Sequence, residues 1–260
     1  MENWLSLLPA FLLVLVRISA FFIVLPMYSH RSVPAPLKLG FAAFISYTVV
    51  FTVEIPELTV NATYLLLILK ELFVGLSVGL VAMMLLYAIQ VAGGLMDFHM
   101  GFMIANVVDP QTGAQSPLLG GYLYTFALLY LLLIDGHHLL LDGVVYSYMF
   151  VPMDQLALPF GTEPVIELVA NTMGVMFALA VAMAFPVVGS LFLVDVALGI
   201  VSRTVPQMNV FVVGMPIKTI VGLLILTVYI GVFFMSVNYL FEEVIATMRK
   251  LLERLGGAVQ

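Results

Sequence analysis

Apolar residues fall along the chain in six runs, at 5–25, 39–53, 63–89, 118–134, 164–194 and 217–241. Long, nearly unbroken runs of this kind form helices, because only a helix satisfies all backbone polar groups within one apolar segment. Arg17 interrupts the first run, the adjacent Lys70 and Glu71 the third, and Pro186 the fifth. The second run has 15 residues, fewer than the roughly 20 that cross a bilayer upright. The sixth passes into a charged tail, EEVIATMRKLLERL, in which Val244, Ile245, Met248, Leu251, Leu252 and Leu255 mark one apolar face. A semi-polar stretch, DGHHLLLDGVVYSYMFVPMDQLALPFGTE, separates the fourth and fifth runs. No internal repeat and no low-complexity segment is visible. The pattern predicts a single all-α domain.

Composition decides where such a domain lives. Of the 260 residues, 9% are charged and 63% are hydrophobic, whereas a soluble domain carries about 25% charged residues. A water-exposed surface cannot be built from so few charges, so lipid, a hydrophobic assembly or both must cover the chain. The absence of cysteine excludes a disulfide framework and thiolate metal sites. A net charge of −6 provides no basic face for nucleic acid. The opening MENWLSLLPAFLLVLVRISAFFIVLP lacks a basic leader and a small-residue cleavage signal, and reads as a retained membrane segment.

Loop charges do not orient six spans. One side would hold Arg249, Lys250 and Arg254, with Lys70 if the third run starts late, the other Arg31, Lys38, Arg203 and Lys218, where a clear bias is the usual signature of a membrane monomer. The balance, with the short second run, points to runs that are buried against protein and do not simply cross lipid.

Four charges, Arg17, Lys70, Glu71 and Asp195, lie within or at the edge of apolar runs. Each costs at least ~2.5 kcal/mol at a membrane helix centre, and so requires a partner or water. Lys70 and Glu71 are neighbours pointing to different faces, which predicts a separate partner for each. These charges serve either ion pairing inside a helical assembly or an ion pathway. Asp135, His137 and His138 lie together in DGHH. The zinc-hydrolase pattern needs two His four apart with an intervening Glu, and adjacent His cannot share one helix face, so no metal site is expected. No Ser/His/Asp set stands out, no cofactor is implied, and enzyme chemistry has no support.

Small residues carry a further signal. Gly75 and Gly79 form a small-xxx-small pair that lets a second backbone approach. Gly93-Gly94 and Gly120-Gly121 flank a polar interruption and are expected to act as pivots. That interruption, GFMIANVVDPQTGAQSPLLGGY at 101–122, has Asp109 as its one charge. Its Asp109-Pro110 and Ser116-Pro117 steps hold the residue before each proline extended. Met96, Met100 and Met103 recur at i, i+4 and i+7 just ahead of it. They serve either as gap-filling core or as a compliant seal.

Two stretches carry a specific resemblance: QVAGGLMDFHMGFMIANVVDPQTGAQSPLLGGY at 90–122 and DVALGIVSRTVPQMNVFVVGMPIK at 195–218. Together with Arg17 and the LPMYSHR that follows the first run, they closely resemble FliR-type proteins over essentially the whole chain. These are subunits of the export gate of the flagellar type III secretion system, with counterparts in virulence injectisomes. The resemblance implies membrane-associated helical hairpins, a FliP-like half at about 1–160 followed by a FliQ-like half at 161–260. It implies a closed hetero-oligomeric helical ring with FliP and FliQ at the bacterial inner membrane in the flagellar basal body, much of it above the bilayer plane and surrounded by the basal body, with membrane lipid as a further partner. FlhB would wrap its entrance, FlhA would provide the surrounding platform, and unfolded flagellar subunits would pass through its centre.

The resemblance further implies that the central loop, 105–118, helps to plug the closed channel. Met96, Met100 and Met103 would then seal it, with Asn106, Asp109, Pro110, Gln111, Gln115, Ser116 and Pro117 in the plug. Arg203, Pro206, Gln207, Asn209, Phe211, Met215 and Lys218 would form a partner-binding loop facing FlhB. Small neutral polar residues suit a plug, because they neither trap passing polypeptide by charge nor bind it by apolar contact. The competing reading is a small-solute or ion transporter in which Arg17, Glu71 and Asp195 bind substrate or couple protons.

Overall fold

The computed structural model describes residues 2–29, 33–56, 58, 61–102, 117–156, 158–205, 207 and 209–257. Among them are eight helices and no strand: α1 Glu2–Val24, α2 Pro26–Ser29, α3 Ala35–Val49, α4 Ala62–Met100, α5 Leu118–Leu133, α6 Gly136–Phe150, α7 Glu163–Thr204 and α8 Val210–Leu255. Four of them, α1, α4, α7 and α8, are long and apolar enough to cross a membrane, while α5 and α6 pass that test only as a pair. This fits a membrane protein. The short second run is the short helix α3. The semi-polar stretch, which the run pattern left between elements, begins with helix α6.

The chain divides into two compact units that interleave along the sequence: Met1–Leu85, Asp135–Met173 and Glu242–Gln260 form one, Leu86–Ile134 and Gly174–Phe241 the other. In the first unit α4 crosses α1 at the small-residue pair. A Cβ on Gly75 would overlap the Arg17 carbonyl, and one on Gly79 would lie 3.0 Å from Val24 Cβ. Gly75 and Gly79 therefore permit close backbone approach, and the partner is α1. Apolar burial completes the contact, with Leu13, Val14, Phe21, Val74 and Val78 all at most 1% exposed. An aromatic stack of Phe22 on Tyr28 (4.1 Å) and on Phe41 (5.7 Å) ties α2 and α3 to α1. Partial burial pushes the Tyr28 phenol up to about 12, so it stays neutral. The tail belongs to this unit too: Val244, Met248, Leu251, Leu252 and Leu255 are buried, so its apolar face lies on the chain itself.

In the second unit α5 begins against α4. A Cβ on Gly93 would overlap Gly120 Cα, and one on Gly120 would lie 3.0 Å from the Gln90 carbonyl. Both glycine pairs sit inside continuous helices. This corrects the expectation of pivots: one glycine of each pair, Gly93 and Gly120, is a contact point between the two helices. The turn instead comes at Gly101, whose φ of +88° is the left-handed conformation glycine adopts without strain.

Candidate functional site

The charges anticipated in the apolar runs converge in the first unit. Arg17 of α1 is 0% exposed, as is Glu71 of α4, and Lys70 is 5% exposed. The Arg17 guanidinium is bidentate to Glu71: Nε donates to Oε2, and Nη2 donates to Oε1 at 2.9 Å. Nη1 donates to Ser147 Oγ at 2.7 Å, and Nη2 also donates to the Val151 carbonyl at 3.0 Å. The Tyr148 ring lies 3.7 Å from the guanidinium carbon, a cation–π contact. Lys70 Nζ meets Glu71 Oε1 at 2.5 Å and donates to the Pro152 and Met153 carbonyls at 2.8 and 3.0 Å.

This corrects the expectation that Lys70 and Glu71 need separate partners. A lysine stem of four methylenes reaches around the helix, so one carboxylate serves both cations. Lys70 is accordingly part of a buried network and not of a loop. The network fastens residues 151–153, just beyond α6, to α1 and α4. Chemically it is closed, because both Glu71 oxygens are engaged by cations.

Asp195 differs. It is not buried in the chain: its side chain keeps 41% exposure and pairs with Lys218 at 2.8 Å within the second unit. It lies on α7 and Lys218 on α8, so the pair links the two arms of a hairpin. The anticipated partner loop is likewise redistributed. Arg203 lies in the last turn of α7, while Phe211, Met215 and Lys218 already belong to α8. Asn209 caps α8, its side-chain oxygen accepting from the Phe211 and Val212 amides at 3.2 and 3.4 Å. Gln207 is exposed and Phe211 is 81% exposed, while Pro206 lies outside the described residues. A cavity of about 350 Å³ opens beside this hairpin end, lined by Phe98, Asp195, Leu198, Phe211, Met215 and Lys218 among others.

Two of the three methionines of the anticipated face lie among the described residues. Helix α4 ends at Met100, and Met96 and Met100 are both 0% exposed. The Thr219 hydroxyl donates to the Met100 carbonyl at 3.0 Å, and the Met100 side chain packs against Gly222. These two methionines fill the interior of the second unit. Met103, Asn106, Asp109, Pro110, Gln111, Gln115 and Ser116 lie outside the described residues. Pro117 is the residue that precedes α5.

Two arrangements were not foreseen. One is Asp97, 1% exposed, whose carboxylate accepts from the Leu119 amide at 3.1 and 3.0 Å and from the Gly120 amide at 3.4 Å. A signal existed: an acid in the last turn of α4 opposes that helix's own dipole, so it must answer to another donor. The other is the DGHH turn, where the expectation that adjacent histidines diverge is corrected. The rings of His137 and His138 lie 4.0 Å apart, and ligand atoms of Asp135, His137 and His138 come within 4.8 Å of one another. Asp135 stands just before α6 with φ +57°. These three side chains could jointly contact a divalent cation, although Asp135 and His138 are well exposed.

Among the described residues, fold and site together fit an all-helical membrane protein whose buried polar groups join helices to one another. A family model for bacterial export proteins, family 1, matches residues 8–244, and the chain belongs to this family. It is 50% identical over 257 residues to the flagellar biosynthetic protein FliR of Bacillus subtilis (strain 168), covering 98% of this chain and 99% of that protein. The FliR of Escherichia coli (strain K12) is 26% identical over 259 residues, covering 98% and 97%. The Yop proteins translocation protein T of Yersinia pestis is 31% identical over 222 residues, 84% of each chain.

Proposed function

We propose that this chain is a structural and gating subunit of the flagellar type III protein export apparatus, needed for flagellum assembly. The observation that carries the reading is the 50% identity to a FliR along nearly the whole length of both chains. In this reading the chain joins FliP and FliQ in a hetero-oligomeric helical ring in the inner membrane at the basal body, with FlhB and FlhA as further partners. Residues 1–160 would correspond to FliP and 161–260 to FliQ. Unfolded flagellar subunits are the cargo, and the 105–118 segment is the plug of the closed channel.

Helix dimensions support it. At 1.5 Å per residue, the 42 residues of α7 and 46 of α8 run to roughly 63 and 69 Å, about twice the hydrocarbon core. Helices of that length suit a ring that stands out of the bilayer. The polar network argues against a proton-coupled transporter, since Glu71 is held by two cations and Asp195 by Lys218. The test is to recover a tagged copy, co-expressed with the cognate partners, in mild detergent. The expected result is FliP and FliQ in fixed proportion and little stable isolated chain. A stable homo-oligomer that transports a small solute by itself would overturn the reading.

A further inference from the structure

Asp135 stands directly before α6 and does not cap it. A helix start favours aspartate because its carboxylate accepts from the first amides. Here Asp135 lies in the left-handed region, at φ +57° and ψ +17°, and makes no side-chain capping bond. It is the one non-glycine residue with positive φ among the described residues, a conformation uncommon enough to ask what it serves. The His138 amide donates to the Asp135 carbonyl at 3.0 Å, which folds the two residues together. Their side chains follow, with His138 Nδ1 at 3.6 Å from Asp135 Oδ1.

His137 joins them from the next position. In the first turn of a helix no preceding turn crowds the side chains, and the two imidazole rings stand 4.0 Å apart, tilted by 37°. His137 Nδ1 is buried and has no hydrogen-bond partner among the described residues. A buried ring nitrogen left unpaired is costly, and imidazole nitrogen is also a metal ligand. One ligand atom from each of the three side chains lies within 4.8 Å of the others. Two ligands held at about 2.1 Å from one ion stand about 3 to 4 Å apart. The His138–Asp135 separation is already in that range. Both side chains are exposed, at 65% and 78%, so they are free to turn the rest of the way and accessible to an ion from solvent.

We propose that Asp135, His137 and His138 form a site for a divalent transition-metal ion at the start of α6. Two imidazole nitrogens and one carboxylate oxygen suit Zn²⁺, Cu²⁺ or Ni²⁺, whereas Mg²⁺ and Ca²⁺ take oxygen ligands. The positive end of the α6 dipole opposes a cation there, so the Asp135 charge is a necessary member of the set. The site shares no residue with the Arg17–Glu71 network and does not rest on the gate reading.

Cu²⁺ is the probe, because this donor set binds it most tightly among the divalent first-row ions and its electron paramagnetic resonance spectrum reports bound nitrogen. The full chain, carrying a histidine-free tag, is purified in mild detergent with whatever subunits accompany it. It is titrated beside His138→Ala and Asp135→Asn. Both side chains are exposed, so neither substitution removes buried packing. The parent should bind one Cu²⁺ per chain with two coordinated nitrogens, and Zn²⁺ should displace it. Each variant should bind at least about tenfold more weakly, the least that losing even an outer partner of a metal ligand costs. His138→Ala should also retain only one coordinated nitrogen. A parent titration that coincides with that of either variant overturns the proposal, leaving adventitious binding only, as at the chain's other histidines, His30 and His99. A single coordinated nitrogen in the parent overturns it as well, since the two rings then do not share an ion.

Discussion

α4 and α8 are equally apolar and end in opposite surroundings. In α4, 56% of an apolar 18-residue window is buried within the chain, against 22% in α8. Hydropathy reports only that a segment avoids water, and does not say what replaces it. α4 is covered by its own chain: α1 crosses it at Gly75 and Gly79, and α5 meets it at Gly93. α8 leaves Leu224, Val228, Met235 and Tyr239 between 55% and 86% exposed, with Gly231 on the same face at helical spacing. The polar groups follow the same division. The charges on α1 and α4 are sealed in a network, while the Asp195–Lys218 pair of α7 and α8 stays partly open.

The largest effect that tests this contrast comes from its ion pairs. Glu71→Ala would leave Arg17 and Lys70 buried without their shared carboxylate. Removing one partner of a buried pair costs about 3–5 kcal/mol. Steady-state amounts of the chain in membranes should fall steeply, with loss of motility. Asp195→Ala should cost less than ~1 kcal/mol, as a partly exposed pair. Thermal aggregation midpoints of the two variants in detergent, measured on the assembled complex, make the comparison. Equal shifts would mean that the network is no more structural than the hairpin pair.

A smaller effect is expected at the α1–α4 crossing. Gly75→Ala places a methyl group against the Arg17 backbone and Ala20 Cβ. Neither can rotate away, so the helices must part, at about 1–3 kcal/mol. Because Arg17 sits at this crossing, the shift also loosens its fork on Glu71. Combined with Glu71→Ala, the two penalties should therefore add to less than their sum. Strict additivity in a double-mutant cycle would show that the crossing and the network are independent.

What could be read in advance divides along the same line. The apolar runs located α1, α4, α5, α7 and α8, because a helix that must avoid water writes that need locally. α6 escaped notice although Leu140, Val144, Ser147 and Tyr148, all buried, recur at helical spacing. His138 and Asp142 on its exposed side, and the polar His137 within the buried face itself, mask the pattern. The third apolar run stops at 89 because Gln90, the glycine pair and Asp97 look like a loop, whereas the glycines and Asp97 have tertiary reasons to be in a helix. Arg17 and Glu71 were both flagged as needing partners. Their pairing across 54 positions was not legible, because nothing in a single chain's pattern couples two distant exceptions. The spacing of Met96 and Met100 allows either core or seal, and the contact of Met100 with Gly222 is tertiary and not written in that spacing.

The smallest effect is the one that separates lipid from protein over α8. A Cβ on Gly231 meets nothing within 4 Å in the chain. Within the isolated subunit, Gly231→Ala should therefore be neutral or stabilising, by up to ~1 kcal/mol from helix propensity. If acyl chains cover this face, they adapt to one methyl group, and the yield of assembled complex should hold or rise. If a helix of FliP or FliQ packs against Gly231, that methyl group enters a close contact between helices, where small residues set the distance of approach. The ring reading expects the second outcome: unchanged or higher subunit stability together with reduced co-purification of partners. Gly174→Ala, at an α7 position with open space around it among the described residues, serves as the comparison and should show which exposed faces are shared. A photo-crosslinker at Val228, 86% exposed, should then capture a partner subunit. Capture of lipid alone, with undiminished assembly of Gly231→Ala, would make α8 a membrane-facing helix and remove it from the ring contact.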